Sequence, residues 1–299
     1  MRMLFYFLVI LQTTSGCMSV SRQQLREVRR FAGKTEDLSS YPEELMIGIA
    51  EIREARGVWY ASSFADPEQH LTELNAIVRE RKNNDRIPGR VKIVFKILDD
   101  YAKGLSGISS DLPSNSQKVL FARLGTDLDV LVEQYNQMSD GNKLPSGAGV
   151  VLTKTMDIGS SMWLAHRQMK ILKGFIDRSD TLVSELCDEM IKFLSAQGIN
   201  QLLDAEESGI QESFRFYYTK RTNPAIESDK EYVVLMKRVW ELQNLRNLTI
   251  RAAGNLKAAH KTLKIELNRK KNLTEIATCL YDFYADLDEL GGAYRKMKN

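Results

Sequence analysis

The sequence predicts an all-α protein, an elongated antiparallel helical bundle with long coiled-coil-like helices. Three observations carry that expectation. Apolar residues recur at helical spacing along most of the 299 residues. The interruptions fall at clusters of Pro, Gly, Asn and Asp, the residues that end helices and make turns. Nowhere does a run of alternating β-branched residues stand between hairpin turns.

The elements follow in order. Pro42 with Glu43 and Glu44 has the form of a helix first turn, and Leu45, Ile49, Ile52 and Trp59 mark its apolar face. Asp66-Pro67-Glu68 is a second start, leading into Leu71, Leu74, Ile77 and Val78. After Asn83-Asn84-Asp85 and Pro88-Gly89, a third helix carries Val91, Val94, Phe95, Leu98, Tyr101 and Leu105. Residues 106–116 read as a loop, and Leu120, Leu124, Leu128, Leu131 and Tyr135 form a fourth helical face. Ser139-Asp140-Gly141-Asn142 with Pro145 then divides an N-terminal helical half, 41–138, from a long-helix bundle, 146–299.

In the second half, Ile158, Met162, Ala165, Met169, Leu172 and Ile176 step alternately by four and three, a coiled-coil spacing. Asp180 is placed to cap a further run through Leu182, Leu186, Met190 and Phe193, with breaks at Gly198 and at Thr222-Asn223-Pro224. One helix is expected over 229–269, with Leu245, Leu248, Ala252, Leu256, Ala259, Leu263 and Leu267 on its seam. A last helix through Leu273, Ile276, Leu280, Phe283, Leu287 and Leu290 should stop at Gly291-Gly292.

The N-terminus is the most specific segment. Arg2 precedes an unbroken apolar run, Leu4 to Leu11, too short to span a bilayer but suited to a signal segment. Thr14-Ser15-Gly16-Cys17 follows. This resembles the lipobox of bacterial lipoproteins, with Thr14 where that family usually has an aliphatic residue. The resemblance covers the targeting segment only. It implies cleavage after Gly16, lipid on Cys17 and an anchor of several acyl chains, so that residues 1–16 are signal peptide and 17–40 a lipidated tether. It also implies the outer membrane, because Met18 stands where an inner-membrane retention signal would have Asp. A plain secretory signal ending near a cysteine is the competing reading. The tether would carry a short helix through Leu25, Val28 and Phe31, and its Arg22, Arg26, Arg29 and Arg30 would either meet phospholipid headgroups or be solvated.

Composition is that of a globular chain, 43% hydrophobic and 27% charged with six prolines. The net charge of +3 gives no field for recruiting nucleic acid, and no such partner is expected. No metal or cofactor is expected either. A helical metal site would want Glu three residues before a His, but Pro67, Trp163 and Lys257 precede His70, His166 and His260. Gly33-Lys34-Thr35 lacks a phosphate loop's first glycine, since Val28 holds that place.

Four features remain. Residues 177–215 carry nine acidic and three basic residues, and 251–271 carry seven basic and one acidic. Lys257, Lys261 and Lys264 either present a surface to an anionic partner or face the acidic segment within the bundle. Phe214-Arg215-Phe216-Tyr217-Tyr218 has the composition of an interface anchor and equally of core packing. The small-residue stretch 147–161 suits close helix packing or membrane insertion. Cys187 and Cys279 lie on apolar faces, and an oxidising compartment would join them if their α-carbons approached within about 7 Å. The expected function is therefore an envelope interaction lipoprotein that is not an enzyme. Its membrane contact runs through lipid on Cys17, its partner is an envelope protein, and self-association is open. A membrane-active helical protein is the alternative.

Overall fold

Every regular element among the described residues is helical. The computed structural model describes residues 2–84, 89–110, 115–139, 143–153, 165–195, 198–220, 225–269, 278 and 280–298, with most side chains from Gln24 onward. The helices are α1 (Arg2–Ala61), α2 (Pro67–Asn84), α3 (Gly89–Ile108), α4 (Asn115–Gln137), α5 (Gly149–Thr153), α6 (Ala165–Leu194), α7 (Ile199–Lys220), α8 (Ile226–Arg269) and α9 (Tyr281–Lys298). The fold is all-α, as the periodicity predicts.

Local chemistry sets several boundaries. Asp66 caps α2 by accepting the Gln69 amide at 3.0 Å, which satisfies one of the donors a helix start leaves open. Asn136 clamps the turn after α4. Its side-chain oxygen accepts from the Leu144 amide at 2.7 Å and its amide donates to the Leu144 carbonyl at 2.9 Å. Tertiary burial extends the rest. Val94, Leu98, Tyr101, Leu105 and Ile108 of α3 are each no more than 3% exposed. The whole predicted seam of α8, Leu245 to Leu267, is buried as well.

Five expectations give way. Residues 17–40 continue α1 rather than forming a tether: Leu25, Val28, Phe31, Ala32 and Leu38 are buried, while the polar character lies on the opposite face with exposed Arg26 and Arg30. Pro42 lies inside α1, not at a start. A proline there removes a backbone donor and costs roughly 3 kcal/mol. The helix continues because the turns on both sides are packed, through Leu38 and Leu45. Asp180 sits within α6 and caps nothing. Gly291-Gly292 does not stop α9, which runs on to Lys298. Buried Gly291 serves packing instead, for a β-carbon there would lie 3.1 Å from the Tyr41 hydroxyl. The loop expected over 106–116 is shorter, since α3 runs to Ile108 and α4 starts at Asn115.

The packing divides into two units. Unit 1 comprises Met1–Ser39, Ile93–Asp188 and Ala253–Leu287; unit 2 comprises Ser40–Lys92, Glu189–Ala252 and Asp288–Asn299. The boundary falls inside five helices, α1, α3, α6, α8 and α9. Unit 1 is built around large side chains such as Phe31, Tyr101, Phe121, Tyr135, Phe175 and Phe283. Unit 2 has an aromatic core in which Trp59 packs on Phe214 at 4.7 Å and on Tyr217 at 4.9 Å.

Candidate functional site

Among the described residues, two places bring chemistry-bearing side chains together, one in each unit. In unit 1, Tyr101 of α3, Asp180 of α6 and His260 of α8 form a chain. His260 Nδ1 lies 3.2 Å from an Asp180 oxygen and Nε2 lies 2.8 Å from the Tyr101 hydroxyl. The second Asp180 oxygen accepts from the Lys264 ammonium at 2.6 Å. An acidic neighbour at Nδ1 fixes the proton there, so Nε2 accepts from the tyrosine. The order acid, imidazole, hydroxyl is that of an activated nucleophile. Its surroundings are not. Tyr101 and His260 are 0% and 1% exposed, Tyr101 stacks on Phe175 at 5.3 Å, and Phe31 lies 6.3 Å from the imidazole. Burial pushes the phenol well above its ordinary range, so it stays protonated. Burial likewise lowers the His260 pKa against the opposing pull of Asp180. The hydrogen bond from His260, with that from Lys264, holds the Asp180 carboxyl far below its usual value. A fully satisfied buried network of this kind joins three helices in one register.

The lysines of α8 belong to the same unit. Lys257 donates to both oxygens of Asp188 at 2.8 and 2.7 Å, and Lys264 donates to Asp180. Two of the three cations expected on an anionic-partner surface thus face the acidic segment instead; Lys261 is exposed. Such part-exposed pairs contribute about 0–1 kcal/mol each, so they set register more than stability.

The cleft in unit 2 is the candidate binding site. It encloses about 400 Å³ between α1, α2 and α7. Each helix presents one face to it. From α1 come Ala50, Arg53, Gly57 and Tyr60; from α2, Glu73, Ala76, Ile77 and Glu80; from α7, Gly209, Glu212, Ser213 and Phe216. The α2 and α7 sets fall at i, i+3, i+4 and i+7 and the α1 set at i, i+3, i+7 and i+10, which places each on one side of its helix. The space exists because the residues between these helices are small. Gly57 and Gly209 also let α1 lie close: a β-carbon at 57 would meet Ile77 at 2.9 Å, and one at 209 would meet the Arg56 guanidinium at 2.9 Å.

Helix α2 closes the cleft only loosely. None of its described side chains is buried, and Leu71 and Val78, expected on its apolar face, are 59% and 71% exposed. Beside the cleft sits Glu206 of α7, 1% exposed, with one oxygen 2.6 Å from Arg53 Nε and the other 2.5 Å from Arg56 Nε. This locks both guanidiniums in place as part of the wall. At one end Tyr60, Phe64 and Phe216 pack on one another with ring centres 5.2–5.9 Å apart. The Lys220 ammonium stands 5.6 Å over the Phe216 ring.

The aromatic run 214–218 therefore divides its work, Phe214 and Tyr217 entering the core and Phe216 facing the cleft. Cys187 is buried and free, and burial pushes its thiol up to about 12. Its expected partner Cys279 lies outside the described residues, as do residues 154–164 of the small-residue stretch and the side chain of Cys17. What is described of that stretch packs tightly: a β-carbon on Gly149 would meet the Gly125 carbonyl at 2.0 Å. Sequence reading missed the cleft. Its one available signal was the stripe of small residues and glutamates facing inward on α1 and α2. Among the described residues no group of His, Cys, Asp and Glu could hold a metal ion, and no helix is long and apolar enough to cross a membrane. The chain matches no protein-family model, no curated protein and no solved structure.

Proposed function

We propose that this chain is a lipid-anchored helical module of the bacterial cell envelope that works by binding, not by turnover. The observation that carries the reading is Ser15-Gly16-Cys17 directly behind the apolar run Leu4–Leu11. Two structural features support it. Among the described side chains of α1, Gln24 and Leu25 are already buried, so no more than seven positions separate Cys17 from the packed body. At a helical rise that distance is roughly 10 Å, and fully extended roughly 25 Å, which would hold the body at the membrane surface. The second is the open cleft of unit 2, whose size falls within the range of small-ligand sites. The buried histidine, by contrast, is enclosed in its own network.

The test is metabolic labelling with an alkynyl fatty acid. Wild-type chain should take up label and enter the membrane fraction, and Cys17→Ala should do neither. Label persisting in the alanine variant, or a mature N-terminus elsewhere than Cys17, overturns the anchor.

A further inference from the structure

We propose that one end of unit 1, the end from which α1 leads back to Cys17, is a docking surface for an anionic phospholipid bilayer. This rests on the anchored-module reading and names the part of the body that meets the membrane. Contacts within the unit fix which segments share that end. Arg29 of α1 donates to the Ser109 carbonyl just past α3, at 2.5 Å. Gln168, near the start of α6, donates to the Ile108 and Ser110 carbonyls at 2.7 and 2.6 Å. Gly107 lies against the ring of Phe121, near the start of α4. Helix α8 runs antiparallel to α6, since Lys257 pairs with Asp188 and Lys264 with Asp180, so its end lies beside the start of α6. The start of α9 joins them, because the Tyr284 hydroxyl donates to the Glu27 carbonyl and Phe283 packs on Phe31.

This end is both basic and apolar. Arg26 and Arg30 of α1, Lys170 of α6 and Lys261 of α8 are exposed, and none of them shares an ion pair among the described residues. Of the carboxylates on the same segments, Glu266 is buried, Glu27 half-buried, and Asp177 and Asp282 exposed. The surplus of positive charge favours an anionic surface over a neutral one. The same segments leave apolar side chains in water. Val119 and Leu120 at the start of α4 are 64% and 49% exposed, Ile265 near the end of α8 37%, and Tyr281 at the start of α9 67%. A soluble polyanion would satisfy the charges and leave these side chains wet. A bilayer takes both, for apolar groups and a tyrosine ring enter its headgroup region while arginine and lysine hold the phosphates. The chain itself supplies the position. Arg26 stands nine positions beyond Cys17, roughly 14 Å at a helical rise, so lipid on that cysteine brings this end of unit 1 against the headgroups.

Vesicle sedimentation of the full chain carrying Cys17→Ala tests this without an acyl chain. Vesicles of phosphatidylcholine alone are compared with vesicles in which phosphatidylglycerol replaces part of it. The apolar run Leu4–Leu11 enters both alike, so the readout is the ratio of the two affinities. Anionic vesicles should bind at least about tenfold more tightly, by a margin that falls as salt is raised. Each basic group near such a surface is worth about fivefold in partition, so adding Arg26→Gln/Lys170→Gln/Lys261→Gln should abolish most of the preference. Adding Val119→Ser/Tyr281→Ser should weaken binding to anionic vesicles by about fivefold or more. Adding Lys230→Gln/Lys237→Gln instead, which removes two exposed cations from the unit 2 part of α8, should leave the preference in place. All these side chains are exposed, so far-UV circular dichroism should not distinguish the variants. Equal affinity for the two kinds of vesicle overturns the proposal. So does a preference that survives the triple variant or is lost as fully in the unit 2 variant, or undiminished binding after Val119→Ser/Tyr281→Ser. Binding to soluble polyglutamate as tight as to anionic vesicles overturns the lipid assignment in favour of an acidic protein. A negative result leaves acylation at Cys17 as it was, and loss of acyl labelling leaves the vesicle preference standing, so the two proposals fail separately.

Discussion

Glu206→Gln removes one oxygen and one charge from the most enclosed ion pair of unit 2. In the wild type each carboxylate oxygen receives a guanidinium Nε, at 2.6 and 2.5 Å. Glutamine keeps an acceptor for one arginine and sets an NH2 group, a donor, against the other. The loss is one charge-assisted hydrogen bond, about 1.5–3 kcal/mol, plus the exposure of an uncompensated charge in a dry site. Breaking a fully buried pair costs about 3–5 kcal/mol. Here the Arg53 and Arg56 side chains keep 23% and 29% of their exposure and can turn toward water. The expected cost is therefore about 2–3 kcal/mol. Urea unfolding followed by tryptophan fluorescence and far-UV circular dichroism measures it. For a slope near 2 kcal/mol/M, the midpoint of the transition should fall by about 1 M. The exposed pair Glu212–Arg215 provides the control, and Glu212→Gln should stay within about 0.5 kcal/mol. A Glu206→Gln midpoint indistinguishable from wild type would show that the two arginines find water as good a partner as the carboxylate, and the reasoning would fail.

Two more predictions concern unit 1. Gly149→Ala should lower the melting temperature by several degrees, about 2 kcal/mol of overpacking, because the new β-carbon meets a backbone carbonyl that cannot turn aside; an unchanged melting curve would refute this. The second is a dependence on pH. The folded His260 pKa lies below its usual 6.5 because of burial, so the unfolded chain binds the proton first. Stability is then lost as pH falls below about 6.5, and Asp180, depressed by its partners, adds a further loss below its usual 3.8. Urea midpoints at successive pH values should fall between neutrality and mild acid, and His260→Gln should flatten that fall. A midpoint that rises on acidification would reverse the sign of the argument.

What the sequence disclosed was local. Asp66-Pro67 starts a helix because its capping bond is made to Gln69, three residues away. The seam of α8 was legible because a single helix carries the whole pattern. Where a distant partner decides, the reading failed or stayed open. Pro42 and Gly291-Gly292 have the chemistry of helix ends, yet packing on either side overrode the first, and contact with Tyr41 gives the second another purpose. Asp180 looked like a cap because its partners, His260 and Lys264, lie 80 and 84 positions along the chain. The two opposed charge runs were visible as composition, but only the fold pairs Lys257 with Asp188. The cleft depends on three helices leaving space together, and no single one of them announces it.

The interleaving of the units bears on the order of events during synthesis. The Tyr284 hydroxyl donates to the Glu27 carbonyl at 3.4 Å, across 257 positions. Unit 1 needs Ala253–Leu287 to pack with Met1–Ser39, and unit 2 likewise joins Ser40–Lys92 to Asp288–Asn299. Helices form within about a microsecond, but most of their apolar faces must wait for partners not yet made. Loop closures of this length make folding slow for an all-helical protein and leave it prone to aggregate meanwhile. Neither unit can be completed from one contiguous stretch of chain, so apolar faces stay uncovered until segments more than 200 positions apart have met.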